Sequence, residues 1–295
     1  MLRKITTKII FLLGSLTRKF ITFHTRPIFT AKMSYRGKET AEDSLCAIII
    51  QGPIKREDNF TLETVKLYRQ HYPLATVILS TWEDEDVSAF EALKGGRFEI
   101  ILSAKPYPPG QNNINMQIAS TKAGIDEALS LNLKYILKTR TDTRMYGVDC
   151  LKFLVNLLNR FPVVGSEIQR QRIIYHTKGS RKFNAYRFSD IFQFGEISDM
   201  KIFWKNYSLE KPSTICPEIY LVSRFLENTG WKVKNTLEDS SEALGKRFIV
   251  IDNESVDLCW CKYENAWREH PLTNYFDPNL EITFKSWFNE SYTSV

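Results

Sequence analysis

The chain has 295 residues, 43% hydrophobic and 25% charged, with a formal net charge of +6. That apolar content suffices for one large core, with or without a small subdomain, and excludes a disordered chain. The mild basicity suits an anionic membrane surface, a phosphorylated ligand or nucleic acid, and alone selects none of them.

The five cysteines, Cys46, Cys150, Cys216, Cys259 and Cys261, are scattered and odd in number. Cys259-Trp260-Cys261 lacks the two-residue spacer of common zinc knuckles and redox pairs, so the expectation is a reduced cytoplasmic protein without structural disulfides. No run approaches the roughly 18 to 20 apolar residues that span a bilayer. At the N-terminus, Ile5, Ile9, Leu12, Leu13, Leu16 and Phe20 recur at the helical period, with Lys4, Lys8, Arg18 and Lys19 around them. The apolar stretch is short for a signal-peptide core and no small-residue cleavage site follows it. It reads either as a basic amphipathic helix lying on an anionic cytoplasmic leaflet or as a helix packed on the domain; the clustered cations favour the first. Residues 25–43 show no sustained period and read as a linker. The expected division is therefore 1–43 for helix and linker and 44–295 for the main domain.

Leu45 to Ile50 is a continuous apolar run, the pattern of a parallel strand covered on both faces, and it stops at Gln51-Gly52-Pro53. A helix follows, with Thr61 as a plausible cap, Glu63 in its first turn and Pro73 as its end. Thr76 to Trp82 is a second strand that runs into Glu83-Asp84-Glu85-Asp86. A short helix reaches Gly95-Gly96, and Phe98 to Leu102 is a third strand. A Pro- and Asn-rich loop, 106–113, opens into a long amphipathic helix carrying Ile114, Ile118, Ile125 and Leu129. The fourth strand, from Tyr135, is closed by Asp142. Alternating strands and helices predict a right-handed parallel sheet. Further on, Leu151–Leu158 reads as a helix, Val163-Val164 as a short strand and 167–186 as mostly basic loop. Ser189–Gly195 reads as a strand, and Pro217-Glu218 opens a helix with Pro at a favoured first-turn position. Beyond Gly230, short strands and an aromatic-rich tail are expected.

Several chemistries are excluded first. There is no P-loop, no Gly-x-Gly-x-x-Gly after the first strand and no Gly-x-Ser-x-Gly elbow. His24, His71, His176 and His270 form no metal spacing; His71 is expected near a helix end and the others on the surface. What remains is a set of polar groups at strand ends: Gln51, Gly52 and Pro53 after strand one, Thr81 and Trp82 closing strand two, Asn113, Asn115 and Gln117 at the helix entrance, and Asp142. In open α/β sheets, the crevice beyond such ends is where ligands bind. Small turns suit close approach to a nucleobase or ribose, and an amide-rich helix entrance suits sugar hydroxyls or phosphate. Asp142 either pairs with Arg140 or Arg144, or holds a hard divalent cation on a diphosphate. Lys138, Arg140 and Arg144 offer a metal-free way to neutralise the same anion.

This order resembles glycosyltransferases of the GT-A fold and, at motif level, the WavE-type lipopolysaccharide-synthesis family. The matching pieces are Ile50–Ile54, Tyr68-Arg69 with Tyr72-Pro73, Ile78–Trp82, Lys138–Asp142, Ser189–Gly195 and Pro217–Tyr220. The resemblance implies a GT-A-like, Rossmann-type mixed sheet flanked by helices. It also implies a bacterial surface-polysaccharide enzyme that moves sugar from a nucleotide-sugar donor to a lipid-linked or lipopolysaccharide acceptor, peripheral on the inner face of the cell membrane. It places Asp142 at the usual Asp-x-Asp strand end, where manganese or magnesium would sit, although the second acid is absent. Inverting transfer needs a carboxylate to take the acceptor's proton, and Glu218 and Asp190 are the candidates. Two other readings remain open. A sugar nucleotidyltransferase of related fold would need a Gly-rich basic loop after strand one, for which Gln51–Ile54 is a poor substitute. A nucleic-acid-binding protein is disfavoured by dispersed cations and the lack of a binding motif, so no nucleic-acid partner is expected.

Overall fold

The computed structural model describes residues 2–21, 25–33, 35–205, 216–261 and 279–292. The strands are β1 (Cys46–Gln51), β2 (Thr76–Trp82), β3 (Phe98–Ser103), β4 (Tyr135–Arg140), β5 (Thr143–Met145), β6 (Ile173–His176), β7 (Gln193–Glu196), β8 (Phe248–Ile251) and β9 (Leu258–Trp260). The helices are α1 (Leu2–Thr17), α2 (Phe60–His71), α3 (Ser88–Glu91), α4 (Ile114–Ser130), α5 (Cys150–Arg160), α6 (Ile197–Phe203), α7 (Pro217–Asn228), α8 (Leu237–Arg247) and α9 (Phe284–Tyr292).

Among the described residues, seven strands form one mixed sheet in the order β3-β2-β1-β4-β7-β6-β8. All its pairings are parallel except those of β7, which runs antiparallel to both β4 and β6. Helices cover both faces, which is why β1 and β2 are buried along their whole length and read as unbroken apolar runs. Edge strand β3 is only half-buried over most of its length. Helix α4 lies very close to the sheet at Gly124. A Cβ there would come within 2.6 Å of Ile49 Cγ2, so the helix tolerates no side chain at that point. The chain winds outward from β1 to β2 and β3, then crosses back through α4 to β4 on the other side of β1. The strand order therefore switches between β1 and β4, and their carboxyl ends meet in register, Gln51 opposite Arg140. A switch of this kind opens a crevice.

The structure departs from the sequence reading in several places. Within the stretch read as loop lies β6, whereas Val163-Val164 is not a strand. Four residues are too few to display a period against basic neighbours. Helix α8 also escapes the sequence reading, although Thr236 caps it by accepting from Asp239 N–H (3.2 Å). His176 is fully buried rather than on the surface. Thr61 is no cap: its hydroxyl accepts from Lys55 N–H (2.9 Å) and donates to Thr141 O (3.0 Å). His24 and His270 lie outside the described residues.

Part of the stretch read as linker is docked on the main domain. Thr30 donates from its amide to Glu63 Oε2 (2.7 Å) and from its hydroxyl to Glu63 O (2.8 Å). Arg26 pairs with Asp257. The strap is held most firmly by Arg144, whose buried guanidinium donates to Ile28 O (2.6 Å), Phe60 O (2.8 Å), Thr64 Oγ1 (2.9 Å) and the Tyr146 hydroxyl (3.0 Å). It also lies 4.3 Å from the centroid of the Phe60 ring. Arg144 thus ties the strap, α2 and β5 together. Replacing it by Met keeps much of the packing but removes four hydrogen bonds from a charged donor, including those to Ile28 O and Thr64 Oγ1, each such bond worth about 1.5–3 kcal/mol. Chemical denaturation of Arg144→Met is expected to show a loss of roughly 3 kcal/mol or more; an unchanged midpoint would contradict this role.

Candidate active site

At the end of β1, Gln51 is buried and its side-chain oxygen accepts from the Ser120 hydroxyl (2.8 Å) on α4. Its carbonyl accepts from Thr141 N–H (3.1 Å), which carries the β1–β4 pairing one step past the strand. Gly52 follows at φ +115, a conformation that side chains resist, and Pro53 is exposed. At the end of β2, Thr81 and Trp82 are buried, and the Thr81 hydroxyl has no hydrogen-bond partner among the described residues. At the α4 entrance Asn113 is exposed in the left-handed region. Asn115 is buried and donates to Pro108 O (2.9 Å), bracing the proline loop, and Gln117 is half-buried.

The charged groups gather at the end of β4. That strand stops at Arg140, so Asp142 stands in the turn beyond it rather than on the strand. Arg140 grips it in a fork: Nε donates to Oδ1 (2.8 Å) and Nη2 to Oδ2 (2.9 Å). The Trp260 indole N–H also donates to Asp142 Oδ2 (3.2 Å), and Cys261 N–H donates to the Asp142 carbonyl (2.8 Å). The Arg140 guanidinium lies 5.9 Å from the Trp260 ring centroid. Burial works against this cation, yet the charge and hydrogen bonds of Asp142, with Asp190 and Glu218 behind them, raise Arg140 above the ordinary arginine range.

Lys138 is fully buried, donates to the Asp190 carbonyl and lies 4.7 Å from the Trp204 ring centroid. Burial pulls it down to about 8 and Arg140 adds to that pull, while Asp190, Asp142 and Glu218 oppose it. Glu218, half-buried in the first turn of α7, accepts from the Cys216 thiol (2.6 Å). Burial and the Glu218 charge together raise that thiol. Lys138, Arg140, Asp142, Asp190 and Glu218 therefore share one electrostatic environment. Arg144 does not join them; it is the core fastener described above.

The expectation of manganese or magnesium on Asp142 meets a poor donor set. Both carboxylate oxygens already accept hydrogen bonds, and among the described residues no three His, Cys, Asp or Glu side chains are grouped to hold a metal ion. Hard cations need several oxygen ligands. The residues that the sequence reading missed are Trp260 and Cys216. Trp260 reaches the site only because β9 pairs with β5 in a register that sets Thr143 opposite Trp260. No spacing in the sequence signals that pairing.

The charged cluster lies at the switch point of a mixed α/β sheet, the place where ligands bind in open α/β folds. Residues 46–215, more than half of the chain, match the WavE lipopolysaccharide synthesis family, and the chain belongs to that family. No curated protein sequence matches it.

If Asp142 acts by holding Arg140 and Trp260, Asp142→Asn puts an amide N–H against donors and loosens both. The indole N–H resonance of Trp260 is expected to shift. Stability is expected to fall by roughly 1.5–3 kcal/mol, the range for hydrogen bonds to charged groups. An unmoved indole signal would refute the linkage.

Proposed function

We propose that this chain is a glycosyltransferase of lipopolysaccharide synthesis that moves a sugar from a nucleotide-sugar donor to a lipid-linked or lipopolysaccharide acceptor. One observation carries the reading: two cations and three carboxylates converge at the β1–β4 switch. Family membership supports a role in lipopolysaccharide synthesis, and the mixed sheet fits the GT-A-like fold that the resemblance implies.

In this reading the acceptor hydroxyl attacks the anomeric carbon, the bond to the donor diphosphate breaks, and a carboxylate takes the hydroxyl proton. Arg140 faces the departing diphosphate. Asp142 occupies its Nε and Nη2 and, among the described residues, leaves its Nη1 edge without a hydrogen bond. A preoriented guanidinium of this kind stabilises developing anionic charge. Lys138 contributes from beneath, as a buried charge rather than a contact. Glu218 is the better-placed base, because it is half-exposed and only one of its oxygens takes the thiol hydrogen bond. Asp190 is buried beside Lys138 and acts as its counter-ion. Gln51, Gly52, Pro53, Thr81, Trp82, Asn113 and Gln117 border the strand ends on the donor side of this scheme.

The membrane reading rests on α1. Ile5, Ile9, Leu12, Leu13 and Leu16 all stand open to solvent, and Phe20 beyond the helix is fully exposed. Among the described residues no helix is long and apolar enough to cross a membrane. We propose that this face lies on the anionic inner leaflet, aided by exposed Lys8, Arg18 and Lys19 at about 1 kcal/mol per cation. The docked strap restricts the lipid-binding part to the residues before it.

Glu218→Gln is expected to lower turnover by roughly a hundredfold or more, as for loss of a general base, with donor affinity nearly unchanged. Asp190→Asn is expected to cost less, and a chelator is expected to leave the wild-type rate intact. A larger loss in Asp190→Asn would move the base to Asp190, and full activity in both amides would sink the scheme. Deleting residues 2–21 while keeping the strap is expected to abolish co-sedimentation with vesicles containing anionic lipid. High salt should weaken binding of the full chain only. Equal sedimentation of both proteins would exclude α1 as the anchor.

A further inference from the structure

In sequence, Cys259-Trp260-Cys261 lacks the two-residue spacer of common redox pairs. The structure supplies the proximity by another route. Side chains alternate along a strand, so β9 and the residue after it send Cys259 and Cys261 to one side and Trp260 to the other. The two sulfurs lie 3.8 Å apart. Arg144 stands directly opposite Cys259 in the β5–β9 register, and both cysteines pack with Phe60 in a small cluster apart from the main core. The two thiols are not equivalent. Cys259 is half-buried, whereas Cys261 is buried. Its hydrogen-bonding contact with Cys259, with burial behind it, raises the Cys261 thiol, and the charges of Lys55 and Arg144 pull the other way. Cys259 is thus the sulfur that a small reagent meets first.

The residue between the two sulfurs is the one that reaches the crevice. The Trp260 indole donates to Asp142 Oδ2 (3.2 Å) and lies 5.9 Å from Arg140, and Cys261 N–H holds the Asp142 carbonyl (2.8 Å). Residues two apart on a strand lie about 6.4–6.8 Å apart at Cα, the upper end of what a disulfide spans, whose common value is about 5.5–6 Å. Joining the sulfurs therefore draws the strand in and buckles it at Trp260. Both contacts to Asp142 sit on the segment that must move.

We infer that Cys259 and Cys261 are a reversible dithiol–disulfide pair, oxidised by small disulfides of the glutathione class, whose closure moves Trp260 and loosens its hold on Asp142. The Cys259 thiolate attacks one sulfur of the reagent, the S–S bond breaks, and one thiolate leaves. The Cys261 sulfur then attacks Cys259 in the mixed disulfide and expels the second. Each departing thiolate takes up a proton, so the protein loses two electrons and two protons and the reagent becomes two thiols. Both the bond and the movement of the indole stand without the glycosyltransferase reading.

The test equilibrates the full chain in buffers of rising oxidised-to-reduced glutathione ratio and then blocks free thiols with an alkylating reagent. The tryptic peptide 248–262 holds these two cysteines and no other. It is expected to pass from doubly alkylated to unalkylated and two hydrogens lighter, and to return when the ratio is reversed. The indole N–H resonance of Trp260, assigned with Trp260→Phe, is expected to shift with the same midpoint. Cys259→Ser and Cys261→Ser should each abolish the closed peptide, and in both the indole resonance should no longer follow the ratio. Wild-type peptide that stays doubly alkylated at every ratio overturns the inference. So does glutathione that persists on either cysteine without ring closure, or a link to Cys216 instead. A closed peptide with an unmoved indole signal overturns the coupling to Asp142.

Discussion

The site depends on the two-point grip of Arg140 on Asp142. Fork-to-fork contacts between guanidinium and carboxylate are short, directional and stronger than neutral hydrogen bonds, so each partner fixes the other's orientation. Here the grip spans a chain reversal. Arg140 ends the central strand, while Asp142 stands in the turn that leads to β5. The turn is held from three sides, by Gln51 O on Thr141 N–H, by Cys261 N–H on the Asp142 carbonyl and by the Trp260 indole on its carboxylate. In this arrangement the group whose orientation Asp142 fixes is a cation.

The same turn explains why two arginines four residues apart lead different lives. Beyond Asp142 the chain departs from the large sheet and joins the small β5–β9 pair. Thr139 and Thr143 meet hydroxyl to hydroxyl across the turn. Arg140 thus remains at the crevice with its side chain partly exposed, whereas Arg144 faces α2 and the docked strap. A buried guanidinium is tolerable there because backbone and side-chain oxygens meet its donors; without them its desolvation would be destabilising. Lys138 illustrates the opposite compromise. It has a carbonyl, an indole face and nearby carboxylates, yet burial still draws its proton affinity down.

These arrangements couple the site to distant parts of the chain. Trp260 links the Asp142 turn to Lys178, in the turn that follows β6, through a single ring, so β5, β6 and β9 share one polar cluster. Cys216 and Glu218 approach from the start of α7, and Ser120 on α4 anchors Gln51 from the other side. Ligand-binding crevices in α/β sheets are commonly assembled this way, with rigid strand ends setting the floor and connections setting the walls.

The strands and helices from β1 to β4 were legible in the sequence because each is long enough to show its period and is bounded by Gly, Pro or Asn. Arg140 and Asp142 stand out in the sequence because polar residues closing an apolar strand lie beyond its end, and the structure brings Asp190 and Glu218 near them, whereas Arg144, offered with them, turns into the core. The sequence by itself also determined that α1 has one apolar face and a cationic remainder. Only the tertiary structure decided that β7 runs antiparallel, that 25–33 is a docked strap and that His176 is buried. It alone decided which cations the crevice receives. Strand register and crossing direction are set by packing between segments far apart in the chain. Arg140 and Arg144 look alike in sequence, while Lys178 and Trp260, neither distinguished by any local pattern, come together only through the β6 turn and the β5–β9 pairing.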